Sequence, residues 1–410
     1  MIHPETESLP RGDTRTRRIG LVFIIGALSA FGPLSIDMYL PGLPALSQDL
    51  GGTAWQAQFT LSACLLGLAG GQIVVGPLSD RLGRRGPLLV GLLAYTIASV
   101  LCALSPSVTA LIALRFVQGV AGSAGIVIAR AVVRDLYSGA AAARFFALTM
   151  AINGLAPILA PVLGGLLLAV TTWRTIFLVL AGIGAILLAA ATLGLAESLP
   201  AQRRQTGGLG ATLATFRLLL GDRPFVGYAL SSGLAFAAMF AYISGSPFVL
   251  QDMYHVSPQA FSFIFAANAL GIVFASQISG RLVGRVPAWR LLAVGMAGAL
   301  LGGLLLLAVV VSGVGLVGIL PAFFLVVASI GFIAPNATAL ALAGHPRIAG
   351  SASGLIGVVQ YLIGAVASPV VGIGGSGTAL PVAIIIAVLN VGAFVVFVGL
   401  TRGGAGSAQT

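Results

Sequence analysis

The chain has 410 residues, of which 58% are hydrophobic and only 8% charged. Soluble domains carry about a quarter charged residues, so this composition excludes a soluble globular protein and defines one built for a bilayer. All 21 basic residues are Arg, and the net charge of +11 is spread over short segments between apolar runs, not gathered on one soluble face, which argues against a nucleic-acid partner.

The opening MIHPETESLPRGDTRTRR is polar and is expected to be disordered. Arg17 and Arg18 precede an apolar run without a small-residue cleavage site, so that run reads as an uncleaved first helix. A spanning helix needs about 20 mostly apolar residues. Cutting the chain at charged, Pro-rich or Gly-rich breaks predicts twelve spans, near 18–42, 54–78, 86–105, 107–131, 142–168, 173–194, 225–250, 258–281, 287–311, 314–339, 348–373 and 378–400. The last two are divided only by a Gly/Ser turn. Residues 197–224, containing AESLPAQRRQTGGLG, read as a cytoplasmic linker between an N-terminal bundle over 1–196 and a C-terminal bundle over 225–410. The 56 glycines suit close packing of membrane helices.

Arg collects on the cytoplasmic side of a membrane. With the N-terminus inside, nearly every Arg falls in an inner segment, and of the outer loops only the one before the sixth span holds one, Arg174. Missing one helix would collapse that asymmetry, so the expectation is an all-α membrane protein of twelve spans with both termini cytoplasmic. The loop after the second span, GPLSDRLGRR, is echoed by SGRLVGR after the eighth. Internal repeats of this kind build alternating access around a midplane site in secondary transporters.

The first span contains LSIDMYLPGLPAL over Leu34–Leu46, which sets Asp37 far from any loop. A carboxylate in hydrocarbon is costly and is a functional-site candidate by default. In Gly76–Arg85, Gly76 and Gly83 permit close approach and a tight turn, while Asp80 can pair with Arg or a helix N-terminus. Contacts that form in one conformation and break in another bias a two-state equilibrium. In the fourth span Arg115 stands about eight residues deep, with Gly119 and Gly122 on its face. It fits two roles: tied to neighbouring carbonyls as a structural group, or altering the proton affinity of a carboxylate, for which Asp37 is the candidate. In the fifth span Pro157 and Pro161 weaken the backbone ladder on one face, and Asn153 one turn earlier can line a cavity.

These motifs carry a resemblance. GPLSDRLGRR matches the loop motif of the major facilitator superfamily, and Arg115-Phe-Val-Gln118-Gly119 matches its RxxQG pattern. The fifth-span run from Asn153 through Pro157 and Pro161 to Gly164 and Gly165 is similar to the superfamily's antiporter motif, with Ala160 standing where the pattern has Gly. Together with SIDMYLPGLPAL, SGLAFAAMFAYISGSPFVL and ASGLIGVVQYLIGAVASPVVG, the chain resembles the bicyclomycin/chloramphenicol-resistance (Bcr/CflA) branch of drug–proton antiporters. The resemblance implies a bacterial inner-membrane monomer that exports drug-like molecules against protons, and a latch of Asp80, Arg81, Arg84 and Arg85 on the cytoplasmic side. It also implies proton coupling at Asp37. Some relatives carry a second acid two turns earlier, where this chain has a residue near Ser29, so coupling here would fall to Asp37 alone.

The C-terminal half offers polar Asn268, Asn336, Gln360 and Tyr361, and aromatic Phe236, Phe240, Tyr242 and Phe248. The expected cavity combines Asp37, Tyr39, Gln118, Asn153, Phe236, Phe240, Asn268 and Gln360, with Asn268 and Gln360 equally suited to hydrogen-bonding between helices. His255 and His345 fall in loops and His3 in the tail, so none is assigned a proton relay. No HExxH and no second embedded acid point to an enzyme; neither metal nor cofactor is expected. A mainly apolar cavity with one acid accepts amphipathic neutral or cationic cargo. The alternative is a proton-coupled carrier of a sugar or other metabolite on the same fold.

Overall fold

The computed structural model describes residues 24–137, 139–204, 209–345, 348–375 and 377–401. Hydrocarbon offers no partner for a backbone N–H or C=O, so an apolar chain of this kind closes its hydrogen bonds within helices. Among the described residues there is no strand, only an isolated bridge between Val283 and Val286.

The first predicted span is not one helix over its described part. Residues 24–29 are helical, followed by α1 (Phe31–Asp37), a 3-10 turn at Leu40–Gly42, and α2 (Leu43–Asp49). Pro41 and Pro44 stand at the starts of the last two pieces, where a missing N–H does no harm. The break falls immediately after Asp37.

Among the described residues ten helices are long and apolar enough to cross a membrane. They are α3 (Ala54–Leu82), α4 (Arg85–Ala103), α5 (Val108–Leu136), α7 (Trp173–Gly194), α9 (Arg223–Pro247), α10 (Pro258–Leu282), α11 (Ala288–Ser312), α12 (Leu316–Ala343), α13 (Ala349–Val370) and α14 (Leu380–Thr401). Between them lie α6 (Gly139–Leu168) and α8 (Leu209–Leu220), the latter a helix inside the predicted linker. Starts are set by local chemistry. Thr53 and Gln56 form a reciprocal capping box at α3, and Ser107 and Ser257 cap α5 and α10. A π-helical turn, Phe248–Met253, extends α9 past Pro247.

The packing repeats along the chain. α3 lies on α5 and α4 on α7; later in the chain α10 lies on α12 and α11 on α14. Gly119 of α5 makes the first contact possible, since a Cβ there would stand 2.2 Å from the Cys64 carbonyl oxygen. Two seams join the early and late helices, α3 against α13 and α6 against α10.

Candidate transport cavity

A cavity of about 200 Å³ lies where α1, α6, α9, α10, α12 and α13 meet. Gly32, Pro33, Ile36 and Asp37 enter from α1, Pro157 from α6, and Phe236, Met239 and Phe240 from α9. Phe265 and Asn268 come from α10, Val327 from α12, and Gln360 and Tyr361 from α13. Of the residues that the sequence singles out, the structure therefore brings together Asp37, Pro157, Phe236, Phe240, Tyr242, Asn268, Gln360 and Tyr361. Asp37 is 5% exposed, and no described group hydrogen-bonds or ion-pairs with it. Asn268 is tied down: its amide donates to the Tyr242 hydroxyl at 2.7 Å, and Tyr242 packs against Phe265 and Phe323. Phe240 and Tyr361 pair across the wall at 6.3 Å between centroids.

Tyr39, Arg115 and Gln118 do not line this cavity. Residues two apart on a helix point about 200° apart, so the face that presents Asp37 turns Ser35 away. On that opposite side Arg115, fully buried, donates to the Ser35 carbonyl at 2.8 Å and to Gln118 Oε1. Its guanidinium lies 4.4 Å from the Tyr39 ring centroid and 5.5 Å from that of Phe177. Gln118 passes the connection to Ser99 at 2.7 Å, Ser35 Oγ meets the Tyr95 hydroxyl at 2.7 Å, and the Tyr39 hydroxyl meets Thr60 at 3.1 Å. The Arg115–Asp37 pairing that the sequence suggests is not made. Arg115 instead braces the backbone two residues before Asp37, the carbonyl-tied alternative. The side chain of Asn153 lies outside the described residues.

α6 owes its place to two glycines. A Cβ on Gly164 would lie 1.9 Å from the Met38 carbonyl oxygen, one residue past Asp37. On the neighbouring face a Cβ on Gly165 would lie 2.3 Å from Ser262 Oγ of α10. α6 is thus wedged between the broken first span and α10, and Gln259 of α10 donates to the Gly165 carbonyl at 3.1 Å. Pro157 and Pro161 both lie inside α6, where each removes a ladder hydrogen bond. Asn336, a polar group without an assigned partner in the sequence, joins α12 to α10 through Ser279 at 2.8 Å.

At the Arg-rich end the loop motif forms a compact network. Arg84 Nη1 contacts Asp80 at 2.5 Å and Ser79 at 2.9 Å, while its Nε contacts Asp135 of α5 at 2.9 Å. The backbone N–H groups of Arg84 and Arg85 both donate to Glu197, and Arg85 reaches the Thr192 carbonyl. Burial opposes the charge on Glu197, but the N–H donors of Arg84, Leu199 and Arg85 outweigh it and hold the carboxyl below its usual range. Arg81 is exposed and has no partner among the described residues. The two motif glycines differ. Gly83 has φ +97° and ψ 169°, with Glu197 packed against its Cα. Gly76 sits within α3, where a Cβ would make ordinary contact with Val127 at 3.9 Å, so the close approach expected there is absent. Gly83→Ala should cost about 1–3 kcal/mol, the range for backbone strain of this kind. Thermal unfolding of the purified variant in detergent checks it, with Gly76→Ala expected to unfold like the parent. Glu197 is the member of the network that motif reading misses, because it sits in a segment read only as linker.

At the opposite end Arg174, the exception to the charge asymmetry, is paired with Asp49 and lies 4.3 Å over the Trp173 ring. Trp173 also donates to Asp49, at 3.1 Å. The Arg174 and Trp173 hydrogen bonds hold the Asp49 carboxyl below its usual range. A carboxyl lowered in this way adds stability above its ordinary range and loses it as pH falls through the lowered value. Asp49→Asn should therefore reduce thermal stability at neutral pH, by under about 1 kcal/mol for so exposed a pair. The difference from the parent should close as pH drops below the carboxylate range, read from paired melting curves. His345, placed in a loop by the sequence, is bonded to Asp222 at 2.8 Å and packed edge-on against Phe225.

Among the described residues, ten apolar helices long enough to span a membrane and an acid-bearing cavity between them fit a membrane transporter. Residues 22–369 match the Major Facilitator Superfamily, and the chain belongs to that family. It is a multi-pass protein of the bacterial inner membrane. It is 42% identical over 95% of its length to the "Uncharacterized MFS-type transporter YdgK" of Bacillus subtilis, covering 97% of that protein. It is 31% identical to the "Bicyclomycin resistance protein homolog" of Haemophilus influenzae, with 88% of this chain and 90% of that one covered. Against the "Chloramphenicol resistance protein" of Pseudomonas aeruginosa the identity is 32%, with 88% and 86% covered. Among solved structures, the nucleoside transporter NupG superposes with a TM-score of 0.76 at 14% identity, over 94% of this chain and 100% of that one.

Proposed function

We propose that this protein exports amphipathic drug-like molecules in exchange for protons, by alternating access of the cavity at Asp37. In this reading twelve spans form two six-helix bundles over 1–196 and 225–410, and both termini are cytoplasmic. The observation that carries the proposal is the Asp37 carboxylate, without a partner among the described residues, in a mainly apolar, aromatic-walled cavity. An ionised carboxylate there lacks a counter-charge, so the cavity is stabilised by either a proton or a polar or cationic guest. Proton and cargo then compete for one group. Protonation from outside neutralises Asp37 and favours release of the drug; loss of the proton to the cytoplasm readies the cavity for the next. The relatives named for bicyclomycin and chloramphenicol resistance support a drug as cargo.

The membrane potential and pH difference supply the drive, each charge crossing being worth roughly 2.3 kcal/mol per 100 mV. The α6–α10 and α3–α13 seams are where the two bundles would rock, and the Arg84 network would bias which side is closed. A susceptibility panel in an efflux-deficient bacterial host tests the reading. The parent protein should raise tolerance to several amphipathic compounds, phenicols included. Unchanged tolerance across the panel, with the protein present in the membrane, would remove the drug assignment.

A further inference from the structure

The loop after α3 and the loop after α10 are built alike but charged differently. Each follows a buried serine, Ser79 or Ser279, and each turns at a glycine of positive φ, Gly83 at +97° and Gly284 at +85°. In the first loop Arg84 is paired with Asp80 and Asp135, and the Arg84 and Arg85 backbone N–H groups are held by Glu197. In the second the position of Asp80 is taken by Gly280, and Arg281, Arg285 and Arg290 have no ion-pair partner among the described residues. The serine that receives Arg84 in the first loop is engaged in the second by Asn336, so nothing draws Arg285 inward. After Asp222, itself bonded to His345, the chain has a single acid, Asp252, which lies beyond the opposite end of α9. No described acid supplies a counter-charge for these three arginines, which leaves them free to take one from an external anion.

The surroundings identify its source. Val283 is 63% exposed and Trp289 39% exposed, and the Arg290 guanidinium lies 5.3 Å from the Trp289 ring. Exposed Trp and aliphatic groups beside Arg at the end of a span mark the depth of the lipid headgroups. We propose that Arg281, Arg285 and Arg290 seat the phosphate of anionic phospholipid headgroups, a lipid site on the second half that corresponds to the internal acid latch on the first.

Native mass spectrometry of the detergent-purified full chain, titrated with phosphatidylglycerol and with phosphatidylcholine, tests the site. Arg near an anionic surface contributes about fivefold in binding per residue. The parent should therefore prefer phosphatidylglycerol by at least about tenfold, and the Arg281→Gln/Arg285→Gln/Arg290→Gln variant should lose that preference. The corresponding triple Lys variant should keep most of it, because charge is retained. An undiminished preference in the Gln variant overturns the proposal. So does binding of soluble glycerophosphate as tight as that of the intact lipid, which would make this a soluble-anion site. If the Gln variant does not fold, the parent decides: its preference should collapse at high salt, and persistence there contradicts a headgroup seat.

Discussion

Asp37→Asn should abolish resistance conferred by this protein while leaving its amount in the membrane unchanged. Asparagine preserves the volume of the side chain and its place on the cavity wall, so packing around α1 has no reason to change. What it removes is the ability to exchange a proton for a guest. Because no other acid among the described residues lines the cavity, no neighbour can take over, and the loss should be complete. Asp37→Glu should retain proton exchange but carry the carboxyl one methylene further into the cavity, away from the position set for proton and guest. Partial resistance is the expected outcome, roughly tenfold or more below the parent in transport rate.

The second large effect is expected at Gly164. Its Cα faces the Met38 carbonyl so closely that any Cβ would fall at 1.9 Å from the oxygen. The obstacle is backbone in the broken stretch between α1 and the 3-10 turn, and a carbonyl cannot swing aside as a flexible side chain can. Gly164→Val should therefore push α6 away from the first span and disturb the position of Asp37. Transport should fall at least tenfold, with reduced thermal stability in detergent. Gly182→Val is the control, since a Cβ there meets nothing within 4 Å. If Gly164→Val transports like the parent, α6 does not rest on Met38 during the cycle.

The class of fold was legible from hydropathy alone, because spans of about 20 apolar residues admit few other architectures. The cavity was partly legible. Asp37 stands out because a lone acid in an apolar run is conspicuous, Phe236 and Phe240 recur at helical spacing, and Asn268 and Gln360 are polar groups inside apolar spans. Which face of the first span meets the cavity was not readable, since the run around Asp37 is apolar all round and carries no amphipathic stripe. Ser35, Tyr39 and Asp37 are all buried, and only packing tells that the first two turn toward Arg115. Met239 and Val327 line the cavity without any sequence signal, as apolar residues among many. Glu197 and His345 were missed as partners for a related reason. Their contacts, to Arg84 and to Asp222, span over a hundred residues and join loops that no local pattern connects.

Proton-for-drug exchange at Asp37 is the step on which the proposed transport turns. The most direct measurement uses vesicles reconstituted with purified protein, an imposed pH difference and a pH-sensitive dye inside. For the parent, adding a drug that the susceptibility panel identifies should move protons opposite to the drug, and collapsing the pH difference should stop drug accumulation. For Asp37→Asn both signals should vanish. Proton movement in the same direction as the drug, or undiminished counterflow in Asp37→Asn, would contradict the account.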